Sequence, residues 1–216
     1  EELLTSLLHQ NFKHNFEVLI IEDGSTDSCE KVTQKFQLKL KIHYHFKQNS
    51  GPGTSRNYGM SRAKGNYFIF LDSDVILPIN YLSEVAKRLT VNFTDAYGGS
   101  DDAHPNFTDI QKAINYSMTS FLTTGGIRGR KRGIGKFQLR SFNMGLSKAA
   151  FNKTRGFSNL LVGEDIELTF RLWELGFQTQ FIETAFVYHK RRSTIKQFYK
   201  QTYEFGKARP LLSRKH

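Results

Sequence analysis

The tripeptide Asp72-Ser73-Asp74 constrains this chain most, because it stands directly behind the apolar run Tyr67-Phe68-Ile69-Phe70-Leu71 and ahead of Val75-Ile76-Leu77-Pro78. Five apolar residues without alternation predict a strand buried on both faces, the pattern of a parallel sheet covered by helices. The two carboxylates then sit at that strand's C-terminal end, outside which the ligands of open α/β sheets bind. Carboxylates one residue apart can grip a divalent cation and, through it, a pyrophosphate, with hard oxygen ligands suited to Mg²⁺ or Mn²⁺. Asp-Ser-Asp is equally good turn chemistry, and the tripeptide alone does not choose between the two.

The surrounding pattern favours an α/β sheet. Glu17 to Ile21 reads as a strand running into Glu22-Asp23-Gly24-Ser25-Thr26-Asp27, and Asp27 with Glu30 has capping-box spacing for a helix to about Phe36. Lys41 to Phe46 alternates, with Ile42, Tyr44 and Phe46 on one face and His43 and His45 on the other, where the pair is either a metal ligand set or a strand's polar face. Gly51, Pro52 and Gly53 let the backbone approach a ligand and open a helix that Gly65 ends, with Arg56 near its first turn. Strand and helix thus alternate from Glu17 to Leu71, which is doubly wound logic.

Further on, Leu82, Val85, Ala86 and Leu89 recur at helical spacing after Pro78. Periodicity weakens beyond Asp95, and a helix follows from about Thr108 to Phe121. Thr123 to Lys136 is glycine-rich and carries Arg128, Arg130, Lys131, Arg132 and Lys136, so it is a surface loop or a lid that orders on an anionic ligand. A strand over Arg140 to Leu146, a short helix over Lys148 to Lys153, a helix opened by Gly163-Glu164-Asp165, and strands over Gln178 to Ile182 and Ala185 to His189 complete the pattern. Glu1 to Gln10 reads as helix, with Leu3, Leu4, Leu7 and Leu8 on one face. A domain of this kind normally opens with a strand, so the sequence predicts a chain that lacks its first one.

Composition narrows the partners. The formal charge of +11 over 216 residues calls for nucleic acid, an anionic membrane face or a phosphorylated substrate. Its concentration in Arg128 to Arg140 and from Lys190 onward points to local tasks more than to a general nucleic-acid coat. Apolar stretches fall far short of the ~20 residues of a membrane span. The single Cys29 excludes an internal disulfide and fits a reducing, cytoplasmic setting. From Ser193 to about Arg209 a basic helix carries Phe198, Tyr199, Tyr203 and Phe205, which either pack on the domain or rest on an anionic bilayer, at its inner face.

Four blocks occur in order: Glu22-Asp23-Gly24-Ser25-Thr26-Asp27 after a strand, Gly51 through Arg56-Asn57-Tyr58-Gly59, Asp72-Ser73-Asp74, and Gly163-Glu164-Asp165 opening a helix with Arg171. In this arrangement, from Glu17 to His189, the chain resembles the inverting family 2 glycosyltransferases of the GT-A fold. The resemblance implies a Rossmann-like α/β domain with a mixed or parallel sheet and helices on both faces, spanning 1–192, followed by the basic aromatic helix of 193–216. It implies a nucleotide-sugar donor, in the first place a UDP-sugar, a saccharide or lipid-linked acceptor, a divalent Mn²⁺ or Mg²⁺, and a role in surface polysaccharide or glycolipid synthesis.

Residue by residue, it implies that Asp23 binds the base or ribose and that Arg56 helps to hold the nucleotide half. Asp72 and Asp74 form the family's aspartate-any-aspartate pair, with Asp74 the main metal ligand and His189, in Val187-Tyr188-His189, completing the metal site. Asp165 matches the catalytic base, and Glu164 beside it orients the acceptor. The glutamine, arginine, tryptophan signature of processive synthases is missing, since the only tryptophan is Trp173, which favours one sugar per encounter. The alternative is a catalytically defective nucleotide-sugar binding domain, against which the acid pair Glu164-Asp165 argues. A nucleic-acid binder leaves the aspartate blocks unexplained.

Overall fold

The computed structural model describes residues 1–124 and 137–215. Helix α1 (Glu2–Leu8) leads to β1 (Val18–Asp23), α2 (Glu30–Phe36), β2 (Ile42–Lys47), α3 (Pro52–Arg62) and β3 (Tyr67–Leu71). Then come β4 (Val75–Ile76), α4 (Tyr81–Val91), β5 (Ala96–Asp102), α5 (Asp109–Thr119) and the short α6 (Phe121–Thr124). The chain continues through β6 (Asn143–Ser147), α7 (Lys148–Thr154), α8 (Glu164–Glu174), β7 (Thr179–His189) and α9 (Ile195–Lys215). The cationic stretch read over Thr123 to Lys136 lies outside the described residues from 125 onward.

Two sheets form. β1 and β2 pair in parallel, while β3-β6-β5-β7-β4 make a mixed five-stranded sheet. β3 is covered on both faces as its apolar run predicts, with Phe68 and Phe70 in one core cluster and Tyr67, Ile69 and Leu71 against the other. Its ladder partner is β6, however, and the pair is antiparallel. An unbroken apolar run reports burial on both sides and carries no information about strand direction.

The two clusters divide the molecule. One is built from Leu4 and Leu7 of α1, Phe36 of α2, Tyr81, Leu82 and Val85 of α4, and Ile182 and Val187 of β7. The other joins Met60, Met144, Leu146, Ala150, Phe157, Leu168 and Leu172. The helical spacing read in α1 and α4 thus faces the core, and Leu168 and Leu172 of α8 face the second cluster.

Three further expectations change. The capping box of Asp27 and Glu30 does not form: α2 begins at Glu30 behind Cys29, and Glu22 Oε2, at the end of β1, accepts the Cys29 N–H at 2.9 Å. The two strands read over 178–182 and 185–189 are one strand with a bulge, since Gly99 of β5 faces Ile182 and Asp101 faces Val187. Asn143 bridges that irregularity, donating to Ser100 O at 3.0 Å and Ala185 O at 2.7 Å. A side chain at Gly99 would stand 1.9 Å from Ala185 O, so only glycine fits there. Finally, the aperiodic stretch beyond Asp95 is the central strand β5, whose small residues admit large neighbours: a Cβ on Gly98 would meet the Phe137 ring at 2.3 Å.

Among the described residues no helix is long and apolar enough to cross a membrane.

Candidate metal and nucleotide site

The sheet brings Asp74 and His189 together. β4 and β7 pair antiparallel with Val75 opposite His189, and the Lys190 N–H donates to Asp74 O at 3.0 Å. His189 Nε2 lies 3.3 Å from Asp74 Oδ1. One ligand atom each from Asp72, Asp74 and His189 fall within 4.8 Å of one another. Asp74 Oδ1 is out of reach of solvent and makes no hydrogen bond, although the side chain as a whole is 44% exposed. An orphaned carboxylate oxygen beside an imidazole nitrogen and a second carboxylate suits a divalent cation. The three residues therefore fit the metal that the resemblance implies. Burial pushes the Asp74 carboxyl up, but the His189 contact and charge outweigh it, so the group lies below its ordinary range.

Arg56 ties this group to the acid pair. Its Nη2 donates to Asp72 Oδ1 at 3.1 Å and its Nη1 to Glu164 Oε1 at 2.8 Å, with the guanidinium 5.3 Å from the centre of the Phe157 ring. Burial and the adjacent Asp165 charge push the Glu164 carboxyl above its ordinary value, while Arg56 pulls the other way. Asp165 lies in the first turn of α8, where its Oδ2 accepts from Ser141 N at 3.1 Å and its Oδ1 from Ile166 N at 2.8 Å. The close approach depends on Gly53, where a Cβ would lie 2.6 Å from Ser158 O and 3.5 Å from Glu164 Cγ. The freedom expected to admit a ligand at Gly53 is therefore used to dock α3 against the segment before α8.

Asp23 belongs to a network of its own. Its carboxylate accepts the Ser50 and Gly51 N–H groups, both at 2.9 Å, together with Lys47 Nζ, and its carbonyl accepts from Asn49 at 2.9 Å. Burial pushes this carboxyl up, and Lys47 and the Ser50 amide bring it below the ordinary range. Asp23 thus shapes the 47–51 turn at the mouth of α3. His43 and His45 are absent from the metal group: His43 approaches Glu17 at 3.5 Å and His45 meets the edge of Tyr58.

Sequence reasoning missed the layer behind His189. Asp101 Oδ2 lies 3.8 Å from His189 Nδ1 and is paired with Arg191, whose Nε reaches Asn115 Oδ1 at 3.2 Å. Phe142 packs on the imidazole at 4.8 Å between centroids. Burial lowers the His189 pKa, but Asp101 and Asp74 more than offset this, leaving it above its ordinary value. The one available signal was an Asp-Asp pair ending a stretch of small residues.

Comparison with known proteins gives the family and the fold. Residues 1–155 match the sequence model of the family described as Glycosyl transferase family 2. Glycosyltransferase GlyG of Streptococcus pneumoniae is 25% identical over 203 residues, covering 89% of this chain and 66% of that protein. The poly(ribitol-phosphate) beta-N-acetylglucosaminyltransferase TarS of Staphylococcus aureus is 34% identical over 97 residues, covering 44% of this chain and 17% of TarS.

The crystal structure of TarS 1-349 with UDP superposes with a TM-score of 0.67 at 23% identity, covering 92% of this chain and 58% of that one. A second TarS crystal structure holds UDP-GlcNAc. The mannosyltransferase PcManGT of Pyrobaculum calidifontis, in complex with GDP-Man and Mn²⁺, superposes with a TM-score of 0.68 at 14% identity, covering 90% of this chain and 53% of that one. The chain therefore has the GT-A fold, and it spans little more than half of these solved structures.

Proposed function

The chain belongs to glycosyl transferase family 2, and on that premise we propose that residues 1–192 form a catalytic domain that moves a sugar from a UDP-sugar to an acceptor hydroxyl with inversion. The observation that carries the reading is the convergence of Asp72, Asp74 and His189 beside the Arg56–Glu164 pair. The UDP and UDP-GlcNAc complexes of TarS and the GDP-Man and Mn²⁺ complex of the Pyrobaculum enzyme support it. The acceptor is a saccharide or lipid-linked saccharide, in surface polysaccharide or glycolipid synthesis.

Asp72, Asp74 and His189 would hold a divalent cation, Mn²⁺ or Mg²⁺, which supplies charge neutralisation for the departing diphosphate. Asp23 keeps the 47–51 turn in shape for the base or ribose. Arg56 bears on the nucleotide half through Asp72. Asp165 takes the proton of the acceptor hydroxyl as it attacks, because a base must stand apart from the metal ligands to stay available. Each of its oxygens accepts one backbone amide and keeps a lone pair for that proton. Glu164, fixed by Arg56, orients the acceptor, and a single in-line displacement inverts the anomeric centre.

Contact with the inner face of a membrane belongs to the same reading. Ile195, Tyr199 and Tyr203, at 73, 71 and 57% exposure, recur every four residues along α9, and Lys196, Lys200 and Lys207 are exposed on the adjoining arc. Phe198 and Phe205 are half-buried on another side of that helix. The lone thiol Cys29 supports a cytoplasmic setting.

The test is the thermal stability of the chain with UDP in Mn²⁺ and in EDTA. A ligand at a hundred times its dissociation constant stabilises by about 2.7 kcal/mol. UDP should raise the melting temperature more in Mn²⁺, and Asp74→Ala should abolish the difference. Equal shifts in both buffers would overturn the metal-bridged site. If no nucleoside diphosphate shifted the transition, the whole reading would fall.

A further inference from the structure

We propose that Asp101 is the positioning residue that aims His189 at the metal, an inference that rests on the metal site described above. His189 stands between two carboxylates, one on each ring nitrogen. Nε2 is 3.3 Å from Asp74 Oδ1, and Nδ1 is 3.8 Å from Asp101 Oδ2. The ladder sets this up: Asp101 of β5 faces Val187 of β7, two residues before His189. Phe142 covers the ring at 4.8 Å, so the imidazole is held at its face as well as at its edges.

A histidine that binds a cation through Nε2 must carry its proton on Nδ1, and that proton needs an acceptor on the far side from the metal. Asp101 supplies the nearest carboxylate, whose charge at 3.8 Å favours the proton on Nδ1 although the contact is longer than a hydrogen bond. Arg191 Nη1 lies 3.4 Å from the same Nδ1 and, as a donor, favours the opposite tautomer. Nδ1 carries the proton only while the carboxylate's charge outweighs that donor. Asp101 is in turn fixed by Arg191 Nη2, whose guanidinium is held on Asn115 Oδ1 of α5, and Gln111 Nε2 donates to Arg191 O at 3.0 Å. The side chains of Asp101 and Arg191 are 1% and 5% exposed. A buried ion pair is on average no more stabilising than a well-packed apolar pair of the same volume, so stability alone gives little reason for charge at this place. Orientation of a ligand does give one.

The experiment measures the Mn²⁺ dissociation constant by electron paramagnetic resonance of the free ion. It compares the unmodified chain, Asp101→Asn, His189→Ala and the two together, with melting temperatures recorded in EDTA. Asn keeps the size and lets Arg191 dominate Nδ1, so affinity should fall about 10- to 100-fold. In the His189→Ala background the same substitution should change nothing further. If His189→Ala left Mn²⁺ affinity unchanged, the metal reading at His189 would fail. If His189→Ala weakened Mn²⁺ and Asp101→Asn did not, or weakened it equally in both backgrounds, the positioning role alone would be overturned. Should Asp101→Asn not fold, Asp101→Asn combined with Arg191→Gln removes the unpaired cation and takes its place. Arg191→Gln alone removes the competing donor and keeps the carboxylate, so the pair of substitutions should bind Mn²⁺ more weakly than Arg191→Gln alone, and equal affinities of those two would overturn the role.

Discussion

Arg56 and Glu164 meet through a 2.8 Å Nη1–Oε1 bond across 108 residues of chain, and the same guanidinium holds Asp72. The pair is well covered, with side chains 17% and 8% exposed. Removing one partner of a buried pair leaves the other uncompensated, so Arg56→Ala should cost about 3 kcal/mol in a denaturant titration at neutral pH. Without Arg56 the Glu164 carboxyl rises further, and the native state then binds more protons than the unfolded one above pH 4.5. The deficit should therefore be smallest in acid and grow as pH rises from that value. A deficit independent of pH would show that the lost contact with Phe157, and not the charge, is what matters.

Asp165 should matter to chemistry more than to nucleotide binding. Asp165→Asn keeps the size and one amide acceptor but removes basicity, so transfer should fall by ~10² to 10⁴ while UDP affinity in Mn²⁺ stays within a few-fold. The lost bond to Ser141 or Ile166 should cost about 1 kcal/mol of stability. Transfer rates close to those of the unmodified chain would move the base to Glu164.

Glu22 ties stability to acid. Its Oε2 takes the Cys29 N–H and thiol, Tyr44 OH and Ser28 Oγ, and the Cys29 amide is the main reason that this carboxyl lies below its ordinary value. The unfolded state then binds the proton more readily. The contribution is complete above the unfolded pKa of 4.5 and disappears as pH falls through the lower native one. Glu22→Gln should melt lower than the unmodified chain at pH 6, and the two should converge as pH drops below 4.5. Parallel stability curves through that window would refute the linkage.

For α9, sedimentation with vesicles decides. Binding to anionic vesicles at low salt that is lost on neutral vesicles, and reduced by Tyr199→Ser with Tyr203→Ser, fits the exposed stripe. Equal sedimentation with both lipids would remove the membrane reading.

Much of this was legible because it lies in local pattern. The apolar run of β3, the leucine faces of α1 and α4 and the glycine that opens α8 all declare themselves within a dozen residues. Asp72, Asp74, Glu164 and Asp165 stood out by resemblance, and the structure joins Asp72 to Glu164 through Arg56. β5 stayed hidden because Gly98, Gly99 and Ser100 pack through their smallness, which leaves no apolar period to read. Asp101, Arg191 and Asn115 stayed hidden because a buried polar cluster is assembled from three elements, and nothing in Lys190-Arg191-Arg192 marks the middle cation as the buried one. The cap on α2 was misread since its acceptor comes from β1, outside the helix's own sequence.

The bulge in β7 has a consequence for inheritance. Upstream of it the strand is registered by Ile182 against Gly99, and downstream by Val187 against Asp101 and His189 against Val75. Between the two anchors β7 advances from 182 to 187 while β5 advances only from 99 to 101, so this segment holds spare residues, whereas the ladder downstream of it holds none. Because side chains alternate between faces, a shift of one position there would present Lys190 where His189 now stands and turn the imidazole away. A single-codon deletion at Tyr188, downstream of that slack, would thus silence the centre while every one of its ligands is still encoded.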